Sequence, residues 1–369
     1  MKVKAFNAVF PDLKFISSTD MFFQTVRDDY PAFREEGYFL PENKEAVFIY
    51  SVEKDKKKHT GVVLCVDIEE YLKGNIKKHE NTINFKEQQQ LQLILRRKAA
   101  VKPILLTYSP VEKIEKWIKR NLKKIKPVLV VDFDNLQQTH KVWMIREPAE
   151  IKRIKTHFDK YVSQVYVADG HHRIAATAKL FRQRRDSKKK KKYDVLLSAF
   201  LPFDQLEIHN FDRIVTMLDD ISPTFFLAKL SAVCDIKPLV RPKSPKRKHE
   251  MTLFINNEWY SLKWKPAVLK KYKDDVVIFD VNLLNEKILQ DILGIRDIRV
   301  SPLVKYIEGP KGLEGLKEKT LKKEKQIAFS LYPVQLEELI KMADRNLVLP
   351  PKSTWFEPRL KNGVIVQEF

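Results

Sequence analysis

The segment Tyr166-Val-Ala-Asp169-Gly170-His171-His172-Arg173-Ile-Ala-Ala-Thr177-Ala-Lys-Leu180 constrains the chain more than any other. An apolar, β-prone run (Val162, Val165, Tyr166, Val167) stops at Asp169-Gly170, and a helix-forming run from Ile174 to Leu180 starts shortly after. A strand, a tight turn and a helix are expected in that order. The turn gathers a carboxylate, a glycine able to take positive φ, two imidazoles and a guanidinium. Helix N-termini present unsatisfied N–H groups and partial positive charge, so a phosphate is the natural guest, with Arg173 as its fork-shaped partner. The expectation is a phosphate-handling turn; the alternative is an Asp turn residue with exposed histidines.

Composition sets the class. A chain of 369 residues with 44% hydrophobic and 32% charged residues reads as a soluble globular protein, long enough for two closely packed lobes. Lys plus Arg exceed Asp plus Glu by 69 − 48, giving +21, which favours anionic partners, whether phosphorylated metabolites or nucleic acid. Cys65 and Cys234 sit in apolar, β-prone surroundings and read as buried free thiols of a reducing compartment. With no signal-peptide pattern and no run approaching 18 apolar residues, a cytoplasmic protein without membrane contact is expected. Neither a P-loop nor a Rossmann glycine fingerprint is present.

Apolar β-prone runs alternate with amphipathic helical runs, so an α/β (α+β) fold with a mixed sheet follows. Asp20 to Glu36 reads as a helix, and Ala46–Val52 with Thr60–Ile68 as a hairpin turning at Glu53–Lys58. A second chemical stretch follows, Asn75-Ile-Lys77-Lys78-His79-Glu80-Asn-Thr82, directly before a polar helix. Lys77, Lys78 and His79 can bind a phosphate there and leave Glu80 to accept a proton; a solvated helix start is the alternative. The run Lys188–Lys192 reads as a surface loop, since a nucleic-acid patch would interleave aromatics. Met251 to Trp264 reads as a hairpin turning at Asn256-Asn257. The expected boundaries are a catalytic lobe over 1–220, a smaller α+β lobe over 221–348, and a segment 349–369 returning to the cleft. In that segment Lys352, Ser353 and Thr354 are candidate phosphate ligands, with Trp355 and Phe356 as anchors; the alternative is a C-terminal clasp.

These motifs carry a resemblance. Ile76 to Thr82, Lys86-Glu87, Leu105 to Tyr108, His140-Lys-Val-Trp143, Asp169 to Arg173, Leu293 to Asp297 and Pro350 to Pro358, in that order, resemble a bacterial domain-of-unknown-function family numbered ten-fifteen. That family is similar to the ParB/sulfiredoxin-like fold and, within it, to free L-serine kinases. The resemblance implies a ParB/sulfiredoxin-like core that transfers a phosphoryl group to the hydroxyl of L-serine, giving O-phosphoserine. Glu80 would be the general base, with Asp169 and His172 catalytic. Gly170, His171 and Arg173 would hold phosphates and Asp169 would meet Mg2+. ATP, ADP and pyrophosphate all stand as donors, because no adenine signature is legible. Two features depart from the relatives. Sulfiredoxins place a cysteine where His171 stands, which argues against sulfinic acid repair. The Pro-Pro-Tyr-Asp segment common in the family is missing, with Lys14 to Phe23 in its place. Two other classes compete: a ParB-like nucleotide-dependent nucleic-acid-binding protein, disfavoured by the lack of a helix-turn-helix pattern, and a metal-dependent phosphohydrolase or nuclease. Oligomeric state is left open.

Overall fold

Asp55 and Lys56, with φ of 50° and 65°, form a two-residue turn joining strands Val47–Lys54 and Lys57–Asp67. Left-handed backbone at both positions matches the twist of paired strands. The hairpin is tighter than its charged sequence suggests. Glu53 and Lys58 face each other in the ladder instead of sitting in the loop, and Glu53 also accepts from the Lys141 ammonium at 2.8 Å. The computed structural model describes every residue except 185–192, 219–220 and 299–300, so the Lys188–Lys192 run lies outside the described residues.

Among the described residues the hairpin sits within a nine-stranded mixed sheet. Its order is Ile76–Lys77, Val165–Asp169, Ile104–Tyr108, Val195–Pro202, Lys57–Asp67, Val47–Lys54, Gln138–Ile145 and Leu129–Phe133, with Val3–Lys4 also on Lys57–Asp67. Two pairings are parallel, Val165 opposite Ile76 and Ser198 opposite Ile104; the rest are antiparallel. The expected mixed α/β class holds. One face packs on helices Glu112–Leu122 and Pro148–Tyr161, which bury Ile114, Trp117, Ile154 and Phe158 at helical spacing. Phe23 of helix Thr19–Glu35 packs edge-on against Phe133, 5.3 Å between ring centroids. Helices Asn84–Arg97 and His171–Gln183 meet through Leu91, Ile94, Ala176 and Leu180.

The chain divides into two compact units, Met1–Glu207 with Pro358–Phe369, and Ile208–Glu357. The first ends at Glu207 rather than near 220 because strand Phe211–Thr216 hydrogen-bonds between Val304–Glu308 and Gln326–Leu331 of the second unit's sheet. Residues 349–357 belong to the second unit. Pro358–Phe369 belongs to the first, where strand Val366–Glu368 pairs with Ala8–Pro11 and Ala99–Ala100. In the second unit Asn256 and Asn257 take φ of 49° and 61° and close the expected hairpin, Ile255 opposite Glu258. The run after Val233 forms a strand, Cys234–Leu239. Cys65 and Cys234 are buried free thiols, as expected. Among the described residues no helix is long and apolar enough to cross a membrane.

Gly61 has a steric duty in the large sheet. A Cβ there would press on the Phe200 carbonyl oxygen and the Leu201 side chain of the neighbouring strand. Backbone cannot yield as a flexible side chain can, so Gly61→Ala is expected to destabilise the fold by ~1–3 kcal/mol. Chemical denaturation checks this; an unchanged midpoint would contradict it.

Candidate functional site

The central turn forms as a bulge followed by a left-handed glycine. Strand Val165–Asp169 pairs with Ile104–Tyr108, but the register slips between Val167 and Asp169, which both sit opposite consecutive residues, Leu106 and Leu105. A slip of this kind re-aims the side chains at the strand end. Gly170 follows at φ +112°, and helix His171–Gln183 starts at once, with Arg173 and Ile174 N–H groups donating to the Gly170 carbonyl at 2.9 and 3.0 Å. Glycine is required twice over. The φ excludes ordinary side chains, and a Cβ would lie 2.8 Å from the Arg173 terminal nitrogen and 3.2 Å from its guanidinium carbon.

Asp169 is surrounded by cations. Its Oδ2 accepts from Arg173 Nη2 at 2.6 Å and lies 3.4 Å from the Lys102 ammonium, while Oδ1 accepts from Arg359 Nη1 at 2.5 Å. Burial alone would raise this carboxyl, yet Lys102, Arg173 and Arg359 hold it well below the usual carboxylate range. The same crowding works on the bases: burial first, then Arg173 and Arg359, push the Lys102 ammonium down to about 8 against the pull of Asp169. Arg173 is held at three points, donating also to the Lys102 carbonyl at 3.2 Å and lying against Gly170.

The second motif reaches this turn through the sheet. Ile76–Lys77 runs parallel to Val165–Tyr166, and two residues on the buried His79 ring meets the buried His171 ring edge-on, 4.5 Å between centroids. Burial pushes the His171 imidazole down to about 4, and His172, Lys78 and Arg173 add to the fall against the pull of Asp169; burial and His171 hold His79 well below its ordinary value. Both rings are neutral at physiological pH. His171 Nε2 is buried with no hydrogen-bond partner in the protein. Lys78 is exposed, and Lys77, Glu80 and His172 are half-buried. Thr82 hydroxyl donates to Glu87 in the first turn of helix Asn84–Arg97.

Thus Asp169, Gly170, His171, Arg173 and His79 converge, with Glu80 next in chain to His79. Lys352, Ser353 and Thr354 lie in the second unit, where Lys352 and Ser353 make contacts of their own. The Ser353 hydroxyl donates to the Pro350 carbonyl at 2.6 Å, the Lys352 ammonium sits 4.8 Å from the Phe211 ring centre, and Arg213 donates to the Lys352 carbonyl at 3.1 Å. His140, part of another motif, is a buried core residue against Tyr50, whose hydroxyl lies 2.7 Å from Nδ1. Sequence reading missed Lys102 and Arg359. Arg359 stood within a chemically dense tail, and Lys102 carried no signal of its own. The expected Mg2+ contact at Asp169 does not fit the residues present. Both carboxylate oxygens are engaged by cations, and among the described residues no group of three or more His, Cys, Asp or Glu side chains is placed to hold a metal ion.

Two outcomes follow from this geometry. Gly170→Ala should cost about 1–3 kcal/mol by forcing a Cβ into positive φ and displacing Arg173, read by thermal or chemical denaturation. The His171 imidazole has a depressed folded pKa, so its contribution is complete above the unfolded value near ~6.5 and drains as pH falls toward the folded value of about 4. Within that window the unfolded chain binds more protons, and stability should fall by up to ~1.4 kcal/mol per pH unit on account of this group. His171→Gln should flatten the acid limb of the stability profile correspondingly; an unaltered slope would contradict a buried neutral imidazole.

No curated protein matches the chain. Among solved structures, a free serine kinase in complex with AMP is 14% identical with a TM-score of 0.40, covering 80% of this chain and 86% of its own. A conserved hypothetical protein from Pyrococcus furiosus is 14% identical with a TM-score of 0.38, covering 80% and 90%. SbnI with C-terminal truncation from Staphylococcus aureus is 10% identical with a TM-score of 0.42, covering 81% and 85%. Likenesses this remote carry no argument about the chemistry of this chain. The family described as "Protein of unknown function (DUF1015)" matches residues 9–285, well over half of the sequence, and the chain belongs to that family.

Proposed function

We propose that this protein transfers a phosphoryl group to the hydroxyl of a small molecule, with free L-serine as the acceptor. The observation that carries the reading is the 4.5 Å approach of His79 to His171, which brings the segment of Glu80 beside a phosphate-type turn. A base and an anion seat on adjoining segments are what phosphoryl transfer to an alcohol needs, since the protein supplies positioning and charge stabilisation rather than covalent chemistry.

In this reading the serine oxygen attacks the terminal phosphorus of the donor. The new O–P bond forms, the bond from phosphorus to the bridging oxygen breaks, and the electron pair leaves with the departing phosphate. Glu80 takes the hydroxyl proton. The first N–H groups of helix His171–Gln183 and the Arg173 fork bind the transferred group, where growing charge on its oxygens is met by donors already in place. His171 and His79 keep the two segments in register. His172 stands one position on from His171 and is assigned to the donor side of the turn.

The test is formation of phosphoserine from free L-serine with ATP, ADP and pyrophosphate run in parallel. One productive donor establishes both class and donor; a folded preparation inert with all three removes serine as acceptor. Glu80→Gln should lower turnover ~10²–10⁴-fold with donor affinity nearly unchanged. Arg173→Lys should weaken donor binding or transfer, because a point charge does not replace a planar fork. Unchanged kinetics in either variant would remove the role given to that residue.

A further inference from the structure

Three cations share one carboxylate at the turn, so Lys102, Arg173, Arg359 and Asp169 together carry a surplus of two positive charges. All four side chains are only 19–26% exposed, a setting in which solvent does little to offset like-charge repulsion. Arg97 adds to the crowd: burial, Arg27 and Arg173 push its guanidinium down to about 10. A cluster of this kind costs stability unless an anion completes it. Asp169 contributes one charge and, more importantly, geometry. Its two oxygens hold groups from three separate places in the chain, Lys102 two positions before strand Ile104–Tyr108, the start of helix His171–Gln183 and the C-terminal segment. The buried Nε2 of His171, without a partner in the protein, stands on the same turn.

A divalent cation approaching Asp169 would meet three fixed positive groups and find both oxygens engaged. We infer that Asp169 is the organiser of a cation seat, completed by Lys102 and Arg359, which binds a multiply charged phosphate or pyrophosphate oxyanion without a divalent ion held by the protein. Arg359 and Lys102 are positioning and binding residues in this scheme. The inference rests on the phosphotransfer reading only for which ligand the seat serves; binding itself is independent of transfer.

The experiment is calorimetric titration of the full chain with inorganic pyrophosphate in EDTA, repeated with Mg2+, and with ATP and ADP in parallel arms. Near-stoichiometric binding in EDTA is expected. Arg359→Gln should weaken it at least ~10-fold and Arg359→Lys by an intermediate factor, with Lys116→Gln, at an exposed position of helix Glu112–Leu122, as an unaffected control. Melting curves of the variants accompany each titration, and the graded series from Gln to Lys separates lost binding from lost folding. Binding by ATP or ADP as well as pyrophosphate supports the seat with a nucleotide as source, and binding by pyrophosphate alone supports it with the free ion. Tight pyrophosphate binding with no phosphoserine from any donor supports the seat and removes the transfer reading. Binding that requires Mg2+, or Arg359→Gln binding as tightly as the parent, or only weak multisite binding shared by the control, overturns the inference.

Discussion

The Asp169 carboxylate is the interaction on which the first unit's site depends. Through Arg173 it fixes the start of a helix, through Lys102 the approach to a central strand, and through Arg359 the C-terminal segment. That segment is secured just beyond the contact. Gly363 donates to the Val101 carbonyl at 2.6 Å, and Phe369 to the Lys98 carbonyl at 2.9 Å. Tyr30 donates to Glu368 at 2.8 Å from helix Thr19–Glu35. Arg359 therefore arrives at Asp169 on a segment tied down by backbone hydrogen bonds a few residues beyond it, and a charge delivered that way loses little freedom when it binds.

The local features of this architecture were legible because their causes are local. A left-handed glycine after a β-prone run announces the turn at Gly170, and paired asparagines announce the hairpin at Asn256 and Asn257, since φ above zero restricts which residues serve. What brings the parts together was not legible. The parallel pairing of Ile76 with Val165 sets His79 against His171, yet neither two-residue strand nor register leaves a mark in a single sequence. Arg359 lies 190 residues from Asp169, and Lys102 resembles any lysine before a proline. The domain edge near 207 was missed for a related reason: Phe211–Thr216 looks alike whichever sheet it joins, and only its partners decide.

Chemical density also serves local structure. Lys352, Ser353 and Thr354 read as phosphate ligands, but Lys352 turns at φ +59°, its carbonyl accepts from Arg213, and the Ser353 hydroxyl is spent on Pro350. Hydroxyls and amines in a proline-bounded turn commonly satisfy the turn's own backbone first. His140 is similar. In strand Gln138–Ile145 it shares a face with Val142, and that face is interior, where Tyr50 and Phe133 enclose the ring.

Charge and shape are divided between different residues at the turn. Burial keeps His79 and His171 neutral, so they bring no net charge to an anion. A neutral imidazole has one donor and one acceptor, which suits orientation more than neutralisation. The positive charge comes instead from Arg173, Arg359 and Lys102, and burial with the neighbouring arginines pushes the Lys102 ammonium down to about 8, near physiological pH. Arginine stands at two of the three positions, and a guanidinium is a permanent, fork-shaped cation where a lysine is a point charge. In the proposed seat the histidines of the motif would set where a ligand's oxygens lie, and Lys102 and Arg359, outside the motif, would supply much of the charge that holds them.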